Sequence, residues 1–139
     1  MINLTPIREI LFAEDDDGFR SVVRNALILR GYGITAAKNG KEALSLFEAN
    51  PNCWFALITD FNMPFMNGAE LIQAIQAKGR SIKPTIVISA LQAEDSPELA
   101  QLATSHGVYL LHKPFDFGEL FAVLDYWSRP GNGEVDGLR

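Results

Sequence analysis

Cysteine, histidine and clustered basic charge are all scarce in this chain, and each shortage excludes a class of protein. Cys53 is the only cysteine among the 139 residues, so no disulfide can form within the chain. Because Cys53 directly precedes an apolar segment, we expect its side chain to be packed in the interior. The two histidines are too few for a histidine-based metal cluster.

Long apolar runs and a leader are also missing. No stretch approaches the roughly 20 apolar residues of a membrane span, and the first six residues lack the basic start and apolar stretch of a signal peptide. A net charge of −5 without a Lys/Arg cluster argues against a nucleic-acid surface. We therefore expect a cytoplasmic protein that contacts neither nucleic acid nor membrane.

The spacing of apolar residues predicts five strands that alternate with five helices. Short apolar runs end at turn residues, and between them apolar residues recur at helical spacing. Residues 129–139, with three glycines and a proline, are expected to be a loose, flexible tail. The predicted strands are 8–13, 33–37, 54–58, 84–90 and 108–112, and the predicted helices are 18–30, 41–49, 69–77, 96–107 and 116–127.

This alternation predicts a three-layer α/β fold, in which helices cover both faces of a parallel sheet. Right-handed crossovers restrict the topology, and the common doubly wound order for five strands is 2-1-3-4-5. In that order the first and third strands are neighbours at the switch point, where ligands bind beyond the carboxyl ends of the strands. The chain is long enough for one such domain with a real core.

Carboxylates directly follow the first and third predicted strands. Glu14, Asp15, Asp16 and Asp17 form a run of four acids, which repel one another unless they are solvated or neutralised. Asp16 and Asp17 could simply favour the positive end of the next helix. Glu14, Asp15 and Asp60 should converge at one edge of the sheet, and hard oxygen ligands of this kind suit Mg²⁺. A carboxylate beside a metal can also be a nucleophile that forms an aspartyl phosphate.

The fourth and fifth strands end in polar residues that phosphoryl chemistry needs. Ser89 offers a hydroxyl donor, and Lys113 offers a positive charge for a phosphate oxygen. Taken singly, each has a plainer reading: the serine is a turn residue, the lysine before a proline is exposed, and Asp60 caps its strand. Their combination at the ends of neighbouring strands favours a phosphoryl site.

Four segments together resemble the receiver domain of bacterial two-component response regulators. The pattern D-x-x-M-P-x-x-x-G from Asp60 to Gly68 is specific when a late K-P-F accompanies it. The resemblance covers about residues 7–128 and implies the flavodoxin-like form of the predicted fold. The segments are F-A-E-D-D at 12–16, D-F-N-M-P at 60–64 with the glycine at 68, S-A at 89–90 and K-P-F at 113–115.

The resemblance implies a signalling switch and not an independent enzyme. Asp60 would accept a phosphoryl group from a phosphohistidine on a sensor histidine kinase or phosphotransfer protein. Asp15, Asp60 and the backbone carbonyl of Asn62 would hold Mg²⁺, with Glu14 reaching the metal through water. Lys113 would contact the phosphoryl oxygens, and the domain would assist only its own phosphorylation and dephosphorylation.

The resemblance also implies how the signal is passed on. Ser89 would turn towards the bound phosphate, while Asn62 and Leu91 occupy positions that tune the phosphate lifetime in this family. The bond between Lys113 and Pro114 is often cis in the family. Output would pass through protein–protein contacts on the face of the fourth helix, fifth strand and fifth helix, with a phosphorylation-dependent dimer as one form.

One position departs from the family pattern. Receiver domains commonly carry an aromatic residue three positions before the lysine, but this chain has Leu110 there and Tyr109 one position earlier. Because side chains alternate along a strand, Tyr109 should point to the opposite face unless a bulge corrects the shift. We therefore predict that Tyr109 is not the switch residue.

Two other functions fit parts of the sequence. A phosphorylation-independent interaction module could keep this fold, and only the shifted Tyr109 supports it. An independent Mg²⁺ phosphohydrolase would carry a D-x-D-type nucleophile motif, whereas Phe61 and Asn62 follow Asp60.

The segment 31–36 matches the G-x-G-x-x-A spacing of dinucleotide-binding proteins. That motif should follow a strand and open a helix, but here it follows a predicted helix and enters a predicted strand.

Overall fold

A five-stranded parallel sheet forms the centre of the computed structural model, which describes residues 7–131. The order across the sheet is β2-β1-β3-β4-β5, and every neighbouring pair is parallel. The predicted doubly wound topology is therefore confirmed, with the first and third strands side by side. The strands are β1 (Glu9–Ala13), β2 (Gly33–Ala37), β3 (Trp54–Asp60), β4 (Thr85–Ser89) and β5 (Val108–His112).

Five α-helices alternate with the strands, and polar caps fix where several of them begin. Asp16 accepts hydrogen bonds from the backbone N–H groups of Gly18 and Phe19, so this acid caps the first helix as the sequence allowed. The fourth helix ends before Thr104, earlier than predicted, and Gly107 follows with a φ of 78°. The helices are α1 (Asp17–Leu29), α2 (Gly40–Ala49), α3 (Gly68–Ala77), α4 (Pro97–Ala103) and α5 (Phe117–Ser128).

Alternating side chains of the sheet build one hydrophobic core on each face. Leu11, Leu57 and Val87 lie on the face covered by α2, α3 and α4. Phe12 and Ile58, one position along their strands, lie on the face covered by α1 and α5. This period-two alternation produces the three-layer arrangement and determines which helices each strand residue can contact.

Cys53 is exposed, which contradicts our expectation of a packed cysteine. The apolar segment that follows it enters the core gradually, because Trp54 and Phe55 are only half-buried and full burial begins at Ala56. Cys53 therefore precedes the part of β3 that the helices cover. An adjacent apolar run was not enough to predict the burial of a residue outside the strand.

Two other expectations concern the ends and the environment of the chain. The predicted tail at 129–139 falls mostly within residues 132–139, which, like residues 1–6, lie outside the described part of the chain. Within residues 7–131, none of the helices has the length and apolar character that crossing a bilayer requires. The segment 31–36 does follow a helix and enter β2, so its dinucleotide-like spacing has the wrong structural context.

Candidate functional site

The carboxyl ends of β1 and β3 bring three carboxylates together. Ala13 is paired with Thr59 in the sheet, so the next residues on the two strands, Glu14 and Asp60, emerge side by side. Carboxylate oxygens of Glu14, Asp15 and Asp60 all lie within 4.8 Å of one another. The convergence expected from the strand order is present, and the site holds as many as three negative charges.

Glu14 is buried and only partly satisfied by hydrogen bonds. Its Oε2 atom accepts a 3.0 Å hydrogen bond from the backbone N–H of Asp16, whereas its Oε1 atom is buried without a hydrogen-bond partner among the described residues. The Nζ atom of Lys113 lies 3.9 Å from Oε1. Burial raises the pKa of Glu14 from its ordinary value to about 7, and the nearby charge of Asp60 adds to this rise.

Asp60 combines burial with a cation at short distance. Its side chain is nearly buried at the last position of β3, and Lys113 Nζ lies 3.4 Å from Oδ1. Burial raises the pKa of Asp60, while the Lys113 ammonium acts in the opposite direction. Carboxylates that are buried, have a perturbed pKa and contact a defined cation are often found at functional sites.

Backbone hydrogen bonds join the ends of β4 and β5 beside this cluster. The N–H of Lys113 donates to the carbonyl of Ser89 at 2.8 Å, which holds these two residues next to each other. The buried Ser89 hydroxyl accepts a 2.8 Å hydrogen bond from the N–H of Leu91. The bond between Lys113 and Pro114 is cis, as the resemblance implied.

The loop after Asp60 turns tightly back onto β3. The N–H of Gly68 donates to the carbonyl of Phe61 at 2.8 Å, and a Cβ atom at position 68 would lie 2.7 Å from the carbonyl oxygen of Asp60. Only glycine allows this close approach, which explains the last position of the D-x-x-M-P-x-x-x-G pattern. Asn62 lies exposed within this loop.

Sequence reasoning missed a residue that supports the site from α1. Arg20 donates a 2.8 Å hydrogen bond from Nη1 to the carbonyl of Glu14 and forms an ion pair with Asp17. Arg20 lies one helical turn into α1, and helical spacing alone does not show that its side chain returns to the end of β1. Asp17 therefore has a structural partner outside the three-carboxylate cluster.

The cluster fits a small divalent cation. It supplies only hard carboxylate oxygens, which Mg²⁺ prefers, and it contains a buried carboxylate oxygen without a hydrogen bond. Leaving such an atom unpaired costs free energy, and a cation nearby would compensate the charge. Burial is the main cause of the raised pKa of both Glu14 and Asp60, and a cation held near them would favour their charged forms.

A family model described as response regulator receiver domain matches residues 10–125. The chain belongs to this receiver domain family. Among its relatives, the chemotaxis protein CheY1 of Helicobacter pylori is 30% identical over 108 residues, which cover 77% of this chain and 86% of that protein. The response regulator MprA of Mycolicibacterium vanbaalenii is 33% identical over 118 residues, covering 84% of this chain and 48% of MprA. The receiver domain thus spans about half of MprA, and a match to AtoC of Escherichia coli spans 25% of that protein.

Solved structures agree with this membership. The chemotaxis protein CheY4 of Vibrio cholerae superimposes with a TM-score of 0.74 at 26% identity, covering 86% of this chain and 98% of that chain. The response regulator TrrA of Thermotoga maritima, solved in complex with Mg²⁺ and BeF, gives a TM-score of 0.73 at 27% identity and covers 87% and 99% of the two chains. Receiver domains are phosphorylation-activated signalling switches that bind Mg²⁺ at an acidic pocket and interact with histidine kinases or phosphotransfer proteins.

Tyr109 of this receiver domain lies on the face of the sheet opposite to Leu110. Leu110 packs in the core beneath α2, α3 and α4, on the same face as Val87. Tyr109 packs in the core beneath α1 and α5, and its hydroxyl accepts a 2.8 Å hydrogen bond from the indole N–H of Trp127. No bulge interrupts the pairing of β4 with β5, so the alternation that the sequence predicted is intact.

Proposed function

We propose that this receiver domain is a Mg²⁺-dependent switch in which Asp60 is the phosphoacceptor. The proposal rests on the Asp60 carboxylate itself, which is nearly buried, has Lys113 Nζ at 3.4 Å, and has two further carboxylates in the same cluster. Two acids of the run at 14–17 lie outside this cluster and have other roles. Asp16 caps α1, and Asp17 pairs with Arg20.

The proposed reaction transfers a phosphoryl group from a phosphohistidine on a sensor histidine kinase or phosphotransfer protein. An Oδ atom of Asp60 attacks phosphorus and forms the new O–P bond. The P–N bond of the donor breaks, and its electron pair stays on the imidazole nitrogen. Burial keeps the Asp60 carboxylate basic, and the Lys113 ammonium compensates charge on the phosphoryl oxygens.

Glu14, Asp15, Asp60 and the backbone carbonyl of Asn62 would hold Mg²⁺, with Glu14 reaching it through water. When bound, the ion would supply positive charge that compensates the phosphoryl oxygens. Support comes from the buried Oε1 atom of Glu14, which has no hydrogen-bond partner among the described residues. Arg20 and Asp16 hold the backbone and side chain of Glu14 in position for this role.

Ser89 would report the phosphate to the rest of the domain. Its hydroxyl accepts from the N–H of Leu91, and turning towards a phosphoryl group at Asp60 would release that bond at the start of the β4–α4 connection. The resulting change would reach a protein partner, or a second phosphorylated copy, through the face of α4, β5 and α5. Leu110, and not Tyr109, lies on the Ser89 side of β5.

Intact mass after incubation with a small phosphodonor tests the proposal. The wild-type chain should gain one phosphoryl group only when Mg²⁺ is present, and Asp60→Asn should gain none. Asp17→Asn is the matched control, because it makes the same Asp-to-Asn change in the run at 14–17 but outside the carboxylate cluster, and it should still be phosphorylated. If the wild type gained nothing under any condition, the phosphorylation-independent interaction module would be favoured.

A further inference from the structure

A cavity of about 300 Å³ lies at the end of the sheet opposite to Asp60. Arg8 directly precedes β1, Trp54 begins β3, Lys83 shortly precedes β4, and all three line this cavity. Trp127, near the end of α5, also lines it. Because the strands are parallel, their amino ends share this edge, and the cavity is separated from the phosphoacceptor by the length of the strands.

The charge of this cavity is opposite to that of the chain as a whole. Arg8, Lys83 and Arg129 line it and no acidic residue among residues 7–131 does, although the chain carries a net charge of −5. Glu9 and Asp125 lie one or two residues from lining residues in the sequence, and both form hydrogen bonds with residues outside the cavity lining. Glu9 accepts a 2.7 Å hydrogen bond from Thr35, and Asp125 forms an ion pair with Arg30 and accepts from Tyr32.

Arg8 and Arg129 each make a defined contact with the fold. Arg8 donates a 2.9 Å hydrogen bond from Nη2 to the carbonyl of Ser128, and its guanidinium lies 5.6 Å from the centre of the Phe55 ring. The guanidinium of Arg129 lies 5.9 Å from the centre of the Tyr126 ring. Positioned guanidinium groups bind phosphate or carboxylate with less loss of side-chain entropy than free ones.

We propose that this cavity binds a small organic anion with a planar aromatic body, of the mononucleotide class. The cations supply donors for a phosphate group, and the indoles of Trp54 and Trp127 supply apolar walls for a planar ring. The volume lies at the lower end of the range for small-molecule sites, which suits a single nucleotide. The site is independent of phosphoryl transfer at Asp60.

Titration with AMP tests this proposal, because Trp54 and Trp127 are the only two tryptophans and both line the cavity. In Mg²⁺-free buffer, both indole N–H signals in a proton–nitrogen NMR spectrum should shift and saturate together. Adenosine, which lacks the charge, and inorganic phosphate, which lacks the ring, should each bind at least about tenfold more weakly. Asp60→Asn should bind AMP as the wild type does. Equal shifts with phosphate, or shifts that do not saturate, would overturn the proposal.

Charge-removing variants locate the binding. Arg129→Gln and Arg8→Gln should each weaken AMP binding by at least about fivefold. Lys41→Gln is the matched control, since it removes an exposed cation from the first turn of α2 at the other edge of the sheet, and it should bind normally. Arg129 is exposed, so Arg129→Gln should fold even if loss of the Arg8–Ser128 hydrogen bond destabilises Arg8→Gln. An equal loss with Lys41→Gln would indicate general charge attraction and overturn the site.

The acidic residues Glu134 and Asp136 offer an alternative occupant within the same chain. In the full-length chain, Glu134→Gln with Asp136→Asn should leave AMP affinity within about twofold if the cavity serves an external anion. A gain of tenfold or more would show that this segment competes for the cations. The cavity would then be an internal docking site, and the proposal would be wrong.

Discussion

The indole N–H of Trp127 donates a 2.8 Å hydrogen bond to the hydroxyl of Tyr109, which ties β5 to α5. This bond lies on the face of the sheet that α1 and α5 cover. Ser89 precedes the β4–α4 connection, and of Tyr109 and Leu110 on β5 only Leu110 lies on the α4 face. Tyr109 is therefore built into the α5 packing and is separated from the phosphorylation-linked movement proposed for Ser89.

Tyr109→Phe should reduce the free energy of unfolding without affecting the switch. Loss of the hydrogen bond to Trp127 should cost about 0.5–1.5 kcal/mol in urea unfolding. The rate of phosphorylation by a small donor and the lifetime of the phosphorylated form should stay within about twofold of wild type. If the variant instead abolished phosphorylation-linked NMR shifts in α4, Tyr109 would be the relay after all.

Glu14 should make the metal-free protein less stable as the pH rises. Its pKa is raised from 4.5 to about 7 by burial, so the folded chain binds more protons than the unfolded chain between these values. The free energy of unfolding should therefore fall between about pH 4.5 and about pH 7. Glu14 should account for roughly 3 kcal/mol of this fall at most. Glu14→Gln, which keeps an acceptor for the Asp16 N–H, should lack this contribution.

Urea unfolding in EDTA across this pH range measures the Glu14 contribution. The difference in the free energy of unfolding between Glu14→Gln and wild type should shift in favour of the variant as the pH rises. For Glu98→Gln, at an exposed position of α4, the plot of this free energy against pH should stay parallel to that of wild type. Adding Mg²⁺ should stabilise wild type more than Glu14→Gln, because the ion compensates the buried charge. Parallel curves for wild type and Glu14→Gln would contradict the raised pKa.

Lys113→Met should slow phosphorylation of Asp60 by a small donor roughly 100-fold, because a preorganised positive charge beside the phosphoryl oxygens is lost. Lys113→Arg keeps the charge and should recover part of the rate. Mg²⁺ should bind Lys113→Met at least as tightly as wild type, since the acids lose a competing cation. A variant that lost both rate and Mg²⁺ affinity would indicate disruption of the site.

Gly68→Ala should destabilise the protein by about 1–3 kcal/mol, because the new methyl group would meet the Asp60 carbonyl at 2.7 Å. The phosphorylation rate should fall as well, since the loop after Asp60 must move. Gly18→Ala is the matched control: it also lies in the first turn of a helix, and its Cβ would meet its nearest neighbour at an ordinary 3.5 Å. Equal stability of the two variants in urea unfolding would contradict the close approach at Gly68.

Patterns that depend on local periodicity were predicted well. Apolar spacing identified all five strands of the described chain, and the alternation of strands with helices gave the sheet order. Cys53 was predicted wrongly because its burial depends on where the helices cover β3, which its neighbours in sequence do not reveal. The end of α4 was misplaced for a related reason, since Thr104 and Gly107 lie in a turn whose position tertiary packing determines.

The sequence by itself determined which residue types stand at the strand ends, because strand period and turn residues are local properties. Glu14, Asp15, Asp60, Ser89 and Lys113 could all be named in this way. Only the tertiary structure decided the contacts among them: the unpaired Glu14 oxygen, the 3.4 Å separation of Lys113 from Asp60, and the Gly68 approach. It also brought three cations and two indoles to the opposite edge. These contacts join segments far apart in the chain, and their distances depend on packing that no local pattern encodes.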